Sequence, residues 1–199
     1  MLERDGRPVA PKRVRVREGG FSLVEVLVAT GILAASLVTL AQLFAMSTRS
    51  NIASRSTTYA AVLAQQKMEE LRGLTWGFDL AGLPVSDTSS NTAVSPEVPN
   101  GGTGLSPSPQ TALNENTNGY VDYVDQFGAK IGTGGTTPPS GAIYTRRWSV
   151  QPLPTNPNNT LVLQVLVTRN FARGAADSGA VARLPEEARL VTVKTRKSQ

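Results

Sequence analysis

The sequence contains neither cysteine nor histidine. Without histidine the chain has no Ser-His triad, no imidazole acid or base and no histidine metal ligand. Without cysteine it has no thiol nucleophile, no thiolate zinc site and no disulfide. The commonest catalytic and metal centres are therefore excluded. The folded part must be stabilised by packing alone, and a chain of this length predicts one core.

The remaining routes to catalysis also lack support in the sequence. Lys67 and Lys130 have no motif around them that would form a Ser-Lys dyad, and Glu69 and Glu70 point to different faces of a predicted helix. The glycine-rich stretch at 101–104 lacks the Lys-Ser/Thr pair of a phosphate-binding loop. We predict that the protein is not an enzyme and has no catalytic residue, no cofactor and no metal.

Positive charge is concentrated at the beginning of the chain. The formal net charge is +5, and the first 20 residues, with six basic and three acidic side chains, account for three of those five charges. Basic residues that bind nucleic acid are clustered on a folded surface. This distribution therefore predicts no specific nucleic-acid partner and indicates membrane topology instead.

A long apolar segment runs from Phe21 to Met46. Its only charged residue is Glu25, and a helix needs roughly 20 apolar residues to cross a bilayer. Basic residues precede the segment at positions 12, 13, 15 and 17, and such residues stay on the cytoplasmic side. The pattern predicts a single-pass membrane protein whose residues from Ser47 onward lie outside the cytoplasm.

Glu25 is unexpected in this segment, because a carboxylate in the bilayer costs about 2.5–3.5 kcal/mol at the centre and less near the interface. The residues alone leave two interpretations open. The side chain lies shallow among the headgroups, where it also complements the helix dipole, or it has a function that offsets the cost.

The residues around Glu25 resemble a known signal. Residues 20–25, Gly-Phe-Ser-Leu-Val-Glu, together with the apolar run, resemble the class III signal of type IV pilins and type II secretion pseudopilins. The resemblance implies a prepilin leader at 1–20, cleavage by prepilin peptidase between Gly20 and Phe21, and N-methylation of Phe21. An ordinary secretory signal differs, because its apolar segment precedes the cut. The only small-residue cluster that could serve as such a cut, at 34–36, lies inside the run.

In that family the acid at the position of Glu25 is thought to neutralise the positive N-terminus of an adjacent subunit. The resemblance therefore implies charge pairing, during assembly, between Glu25 and the terminal amine of Phe21 in a neighbour. The partners that it implies are prepilin peptidase, other pilin or pseudopilin subunits and an inner-membrane assembly platform.

The helix is predicted to continue beyond the membrane, from about Phe21 to Arg72, with Gly73 as its terminator. Residues 21–46 form its transmembrane half and residues 47–74 its amphipathic half. The stripe of the second half consists of Ile52, Tyr59, Leu63 and Leu71, flanked by Ala60, Ala64 and Leu74. The alternative is a membrane span and a separate second helix, with bends at Gly31 or at 47–50.

The helix end at 64–72 is similar to that of PilV-type minor pilins and of the related I-type pseudopilins. Within it, Lys67 lies three residues before Glu70. We interpret the two as a solvated pair worth about 0.2–0.5 kcal/mol.

Residues 75–142 are predicted to be a loop-rich variable region, because Ser, Thr, Asn, Gly and Pro dominate it. Within the region, 119–125 is either a short strand or a loop. Asp122 and Asp125 are interpreted as solvated turn carboxylates. A calcium site is the alternative, although their spacing is not that of an EF-hand.

Residues 143–199 are predicted to form an antiparallel sheet. The segments 142–150, 160–168 and 188–195 are rich in β-formers, and Trp148 is expected to be buried against the helix. Together with the helix they predict an α+β fold, a pilin-like arrangement in which a long N-terminal helix packs on a small antiparallel sheet.

The functional prediction is a structural subunit, a minor pilin that is incorporated into a type IV pilus or primes its assembly. The alternatives are a minor pseudopilin of a type II secretion system, a DNA-uptake pilus component and an uncleaved, signal-anchored sensing protein. The predicted location is the inner membrane with the C-terminal domain in the periplasm, and afterwards the pilus or pseudopilus fibre.

Overall fold

The computed structural model of the chain describes residues 19–170 and 187–197. Two compact units make up the chain, Met1–Ser47 and Thr48–Gln199. The predicted leader lies outside the described residues except for Gly19 and Gly20.

Helix α1 spans Leu23–Gly73. It begins two residues later and ends one residue later than the sequence predicts. Gly31 and the polar residues at 47–50 are helical, so α1 is one uninterrupted element and the alternative of a separate second helix is wrong. None of these residues is a proline, and a single glycine costs a helix only about 1 kcal/mol.

In the first unit α1 is apolar on all sides, and its large side chains are exposed. Three hydroxyl groups of this segment are satisfied within the helix. The hydroxyls of Thr30, Ser36 and Thr39 each donate a hydrogen bond to the carbonyl four residues earlier, at 2.9, 2.8 and 2.9 Å. By length and hydropathy α1 is a candidate membrane span.

In the second unit one face of α1 is buried. Its buried residues are Ser56, Ala60, Leu63, Ala64, Lys67, Met68 and Leu71. The predicted stripe is confirmed from Tyr59 onward, because Tyr59 packs against the core, but Ile52 is 54% exposed and does not belong to the core. The prediction failed at Ile52 because helical spacing shows which residues share a face, not how far along the helix the sheet extends.

The C-terminal end of α1 is capped from the far end of the chain. The Lys194 ammonium donates hydrogen bonds to the carbonyl of Arg72 and, at 2.8 Å, to the carbonyl of Leu74. The last carbonyls of a helix have no partner within it, and a cation there also favours the helix dipole. The last strand of the sheet is thereby tied to the end of α1.

The second unit contains these strands in its described residues: β1 Trp76–Phe78, β2 Pro84–Ser86, β3 Val121–Val124, β4 Lys130–Ile131, β5 Tyr144–Pro152, β6 Thr160–Arg169 and β7 Ala188–Thr195. The main sheet has the order β4-β3-β5-β6-β7, and every neighbouring pair is antiparallel. Strands β1 and β2 form a separate antiparallel pair.

The predicted C-terminal meander corresponds to β5, β6 and β7, but the sheet is wider than three strands. The loop-rich region adds β3 beside β5, where Val121 pairs with Arg147 and Val124 with Tyr144. Within the segment 119–125, Val121–Val124 therefore form a strand. It was ambiguous in sequence because its alternation is imperfect, and its place in the sheet depends on a partner about 20 residues away.

The helix packs on this sheet, so the α+β layout is confirmed. Ala60, Leu63 and Leu71 of α1 share one core with sheet residues that include Val150 and Leu163. Trp148 is 1% exposed, as the sequence predicts.

The opposite face of β5 is also buried, which its alternating pattern does not indicate. The loop residue Asn116 lies on this face, where its side chain accepts a hydrogen bond from Arg147 at 2.8 Å. Beyond the end of β3, the edge of β5 is also bonded by a loop, because Ser108 donates its backbone N–H to the carbonyl of Val150 at 2.9 Å. Part of the loop-rich region therefore packs on the sheet.

Candidate functional site

The predicted processing site lies just before α1. Gly20 and Phe21 are outside the helix and exposed, with Phe21 83% exposed. Among the described residues, no atom beyond Gly20 and its two chain neighbours lies within 4 Å of the point where a Cβ on Gly20 would stand. The peptide bond between the two residues is thus in an accessible, non-helical segment, as a protease requires.

Glu25 lies in the first turn of α1. It is exposed, and among the described residues it has no ion-pair partner. A carboxylate in the first helical turn is favoured by the helix dipole. Its predicted partner is the N-terminus of another subunit, so its role remains a prediction.

The second unit contains a buried ionic cluster that the sequence did not predict. At its centre is Lys67, which is fully buried in the middle of the apolar face of α1. Its ammonium donates to the carbonyl of Thr92 at 2.6 Å and to the hydroxyl of Thr92 at 2.9 Å. It also lies 3.1 Å from Asp122, 3.3 Å from Glu70 and 3.7 Å from the centre of the Trp148 ring.

Asp122, the acidic centre of the cluster, is fully buried on β3. Arg146 of the adjacent strand β5 donates to both of its carboxylate oxygens, at 2.7 and 2.8 Å. Arg146 also reaches Gln66 of α1 at 3.3 Å. Bidentate arginine pairs are among the strongest hydrogen-bonded ion pairs.

A second lysine joins the cluster at its edge. Lys130 of β4 donates to Glu70 at 2.9 Å, to the carbonyl of Thr92 at 2.9 Å and to the carbonyl of Val94 at 3.3 Å. Lys67 and Lys130 therefore hold the loop at 92–94 against the helix and the sheet. We name these residues the Lys67 cluster: Glu70, Thr92, Asp122, Lys130, Arg146 and Lys67 itself.

Two interpretations of the sequence are corrected here. Lys67 and Glu70 are not a merely solvated pair, and Asp122 is not a turn carboxylate. Asp125, in contrast, is a turn carboxylate as predicted. Its carboxylate accepts hydrogen bonds from the backbone N–H groups of Phe127 at 2.8 Å and Ala129 at 2.9 Å. One signal was available: Lys67 lies four residues from both Leu63 and Leu71, inside the apolar stripe.

The cations of the cluster donate to carboxylates and backbone carbonyls, and in doing so they join α1, β3, β4, β5 and the loop at 92–94. Within the described residues there is no group of acidic side chains that could hold a metal ion.

The pKa values of the central pair reflect opposing effects. Burial raises the pKa of Asp122, but the adjacent Lys67 and Arg146 lower it more, so the net pKa is below the usual value. Burial lowers the pKa of Lys67, against the opposing effect of Asp122 and Glu70. Since four acceptors surround its nitrogen, we treat Lys67 as a protonated ammonium at neutral pH.

The lowered pKa of Asp122 predicts a loss of stability in acid. A carboxyl group whose pKa is depressed by folding stabilises the protein above its unfolded value of about 3.9, and this contribution disappears as the pH falls through the folded pKa. We expect the free energy of unfolding to fall below about pH 4. Urea unfolding of the full chain in detergent at a series of pH values measures it. An Asp122→Asn variant should lose part of this acid dependence, and an unchanged slope would contradict the assignment.

Comparison with known proteins adds no relative. No protein-family model matches the sequence, and no curated protein or solved structure matches it significantly.

Proposed function

We propose that the protein is a minor pilin, a structural subunit of a type IV pilus. One observation carries the proposal: Gly20 and Phe21 immediately precede a helix of 51 residues, Glu25 lies in its first turn, and the rest of the first half of the helix is apolar on all sides. The resemblance of residues 20–25 to the class III signal supports it. So does the layout of the second unit, in which a helix packs on an antiparallel sheet.

The exposed apolar side chains of the first half support a role in assembly. Leu27, Leu33 and Leu43 are 69, 58 and 60% exposed, and such a surface requires lipid or other apolar helices around it. Packing between helices can replace lipid contacts at little hydrophobic cost. The subunit can therefore wait in the inner membrane and later enter a bundle of helices.

Glu25 has a specific role in this proposal. After cleavage the amine of Phe21 carries a positive charge, and Glu25 of a neighbouring subunit pairs with it within the bundle. Opposite charges attract strongly where little water is present, so the pairing selects the register in which a subunit docks. The partners are prepilin peptidase, other pilin subunits and the inner-membrane assembly platform, and the second unit lies in the periplasm before assembly.

Processing tests the proposal most directly. Prepilin peptidase must approach the backbone closely at the residue before the cut, which a small residue permits. We expect N-terminal sequencing of the membrane-extracted protein to begin Phe-Ser-Leu-Val-Glu with a methylated first residue. The Gly20→Val variant should retain residues 1–20, whereas Gly20→Ala, a matched control, should be cut at least in part. A mature chain that begins at Met1 or near Ser36 contradicts the proposal.

Recovery of the chain distinguishes a pilus from a secretion pseudopilus. A pilus subunit is expected in fibres sheared from the cell surface, together with other pilins. A processed chain that supports secretion but never appears in surface fibres would favour a type II secretion pseudopilin instead.

A further inference from the structure

Arg49 follows the apolar half of α1 by less than one helical turn. The uncharged run from Val26 to Met46 is about 30 Å long as a helix, which equals the hydrocarbon core of a bilayer. The residues at 47–51 are all polar, and they extend the helix by about 7 Å. The headgroup layer on each side of the core is about 5–8 Å thick. Arg49 is the middle residue of this polar turn.

A second charge marks the other end of the run. Glu25 and Arg49 are both helical, and they are about 36 Å apart along the axis. This distance is longer than the core and shorter than the complete bilayer of about 40–45 Å. When the run spans the membrane with Glu25 at the cytoplasmic interface, Arg49 therefore lies at the depth of the phosphate groups of the opposite leaflet.

The chain offers Arg49 no counter-charge nearby. Arg49 is exposed, and the ion pairs of the described residues do not include it. The sequence has no acidic residue between Glu25 and Glu69. A guanidinium group also has the planar arrangement of donors that binds a phosphate with two hydrogen bonds.

We propose that Arg49 binds the phosphate group of a phospholipid in the periplasmic leaflet of the inner membrane. This inference rests on the membrane location in the proposed function. The occupant follows from depth and charge: the bilayer supplies phosphates on every side of the helix at this level. The helix of a second copy supplies no carboxylate between residues 26 and 68.

Arg55 provides a matched control within the same chain. It is also exposed, and it too is absent from the ion pairs of the described residues. It lies six residues after Arg49, about 9 Å further along the helix. This places it beyond the headgroup layer, so a lipid phosphate should protect Arg49 and leave Arg55 reactive.

The first arm of the test measures the reaction of each arginine with phenylglyoxal, which modifies guanidinium groups. The full chain is placed in nanodiscs of phosphatidylcholine or of digalactosyldiacylglycerol. Both lipids have no net charge, and only the first contains phosphate. Mass spectrometry then gives the modification rate at each position. Arg49 should react about tenfold more slowly in phosphatidylcholine, the protection given by a charge-assisted contact, and Arg55 should react equally in both.

The second arm distinguishes a lipid from a free anion. Inorganic phosphate is added to the galactolipid nanodiscs at the concentration that the phosphatidylcholine discs supply as lipid. It should not slow the reaction of Arg49, because a dissolved ion is not held at the surface of the helix. Protection of Arg49 by inorganic phosphate to the same extent as by phosphatidylcholine would overturn the assignment to a lipid.

The remaining outcomes separate this inference from the proposed function. Equal rates at Arg49 in the two lipids overturn the phosphate contact. Equal slowing of Arg49 and Arg55 in phosphatidylcholine overturns it as well, since the bilayer then shields the whole segment. Neither result affects the minor-pilin proposal. A mature terminus other than Phe21, with Arg49 protected by phosphatidylcholine, overturns the proposed function and leaves the phosphate contact of a membrane-spanning helix.

Discussion

Replacing Asp122 with alanine is expected to destabilise the folded second unit by about 3–5 kcal/mol, the cost of removing one partner of a buried ion pair. Asp122 is the acidic partner of both Lys67, at 3.1 Å, and Arg146, at 2.7 Å. Without Asp122, Lys67 keeps the carbonyl and hydroxyl of Thr92 and the carboxylate of Glu70 as acceptors. Arg146 keeps the side-chain amide of Gln66. The energy lost is mainly the cost of leaving these charges buried without their partner.

Urea unfolding of the full chain in detergent, followed by tryptophan fluorescence, measures this effect because Trp148 lies beneath Lys67. Glu69→Ala is a suitable control. Glu69 pairs with Arg72 at 2.9 Å, but the two side chains are 59 and 54% exposed, and such pairs contribute less than about 1 kcal/mol. If Asp122→Ala costs no more than Glu69→Ala, then the cluster does not lock the fold.

Replacing Glu25 with valine is expected to leave a processed, membrane-resident protein that fails to enter fibres. The substitution removes a charge from the apolar segment, so insertion should improve slightly. Assembly should fail because the amine of a neighbouring Phe21 is left without its partner. Removal of one member of a buried pair commonly costs about 3–5 kcal/mol, which predicts a depletion of a hundredfold or more, roughly one factor of ten per 1.4 kcal/mol.

The measurement is the amount of the chain in sheared fibres, normalised to its membrane pool. Glu25→Gln should fail similarly, since it keeps the shape and loses the charge. Gln42→Val is the control, because it removes a polar group from the same apolar segment without removing a charge, and it should assemble normally. Wild-type amounts of Glu25→Val in the fibres would show that Glu25 is only a shallow membrane carboxylate.

Several parts of the fold could be predicted from local pattern. The apolar run and the stripe from Ala60 to Leu71 predicted α1. Helical periodicity and a terminating glycine are signals that can be recognised within a few neighbouring residues. The alternation of residues 188–195 could also be recognised in the sequence, but it did not show which face of the strand is buried, and Val191 and Val193 are 59 and 57% exposed. The motif at 20–25 likewise depends only on neighbouring residues, and it remains the basis of the proposed function.

The Lys67 cluster and the exposure of Phe127 were decided by the tertiary structure. Lys67 and Asp122 are 55 residues apart. Lysine and aspartate are residue types that usually lie on the solvated surface. Whether such a charge is buried depends on which distant strand supplies its counter-charge, here β3 once it pairs with β5. Phenylalanine is a residue type that is usually buried. Phe127 is nevertheless 80% exposed, in a turn between β3 and β4 in which its backbone N–H donates to Asp125. Local patterns specify elements and their apolar faces, whereas the burial of a charge and the exposure of an aromatic ring are set by contacts between residues far apart in the chain.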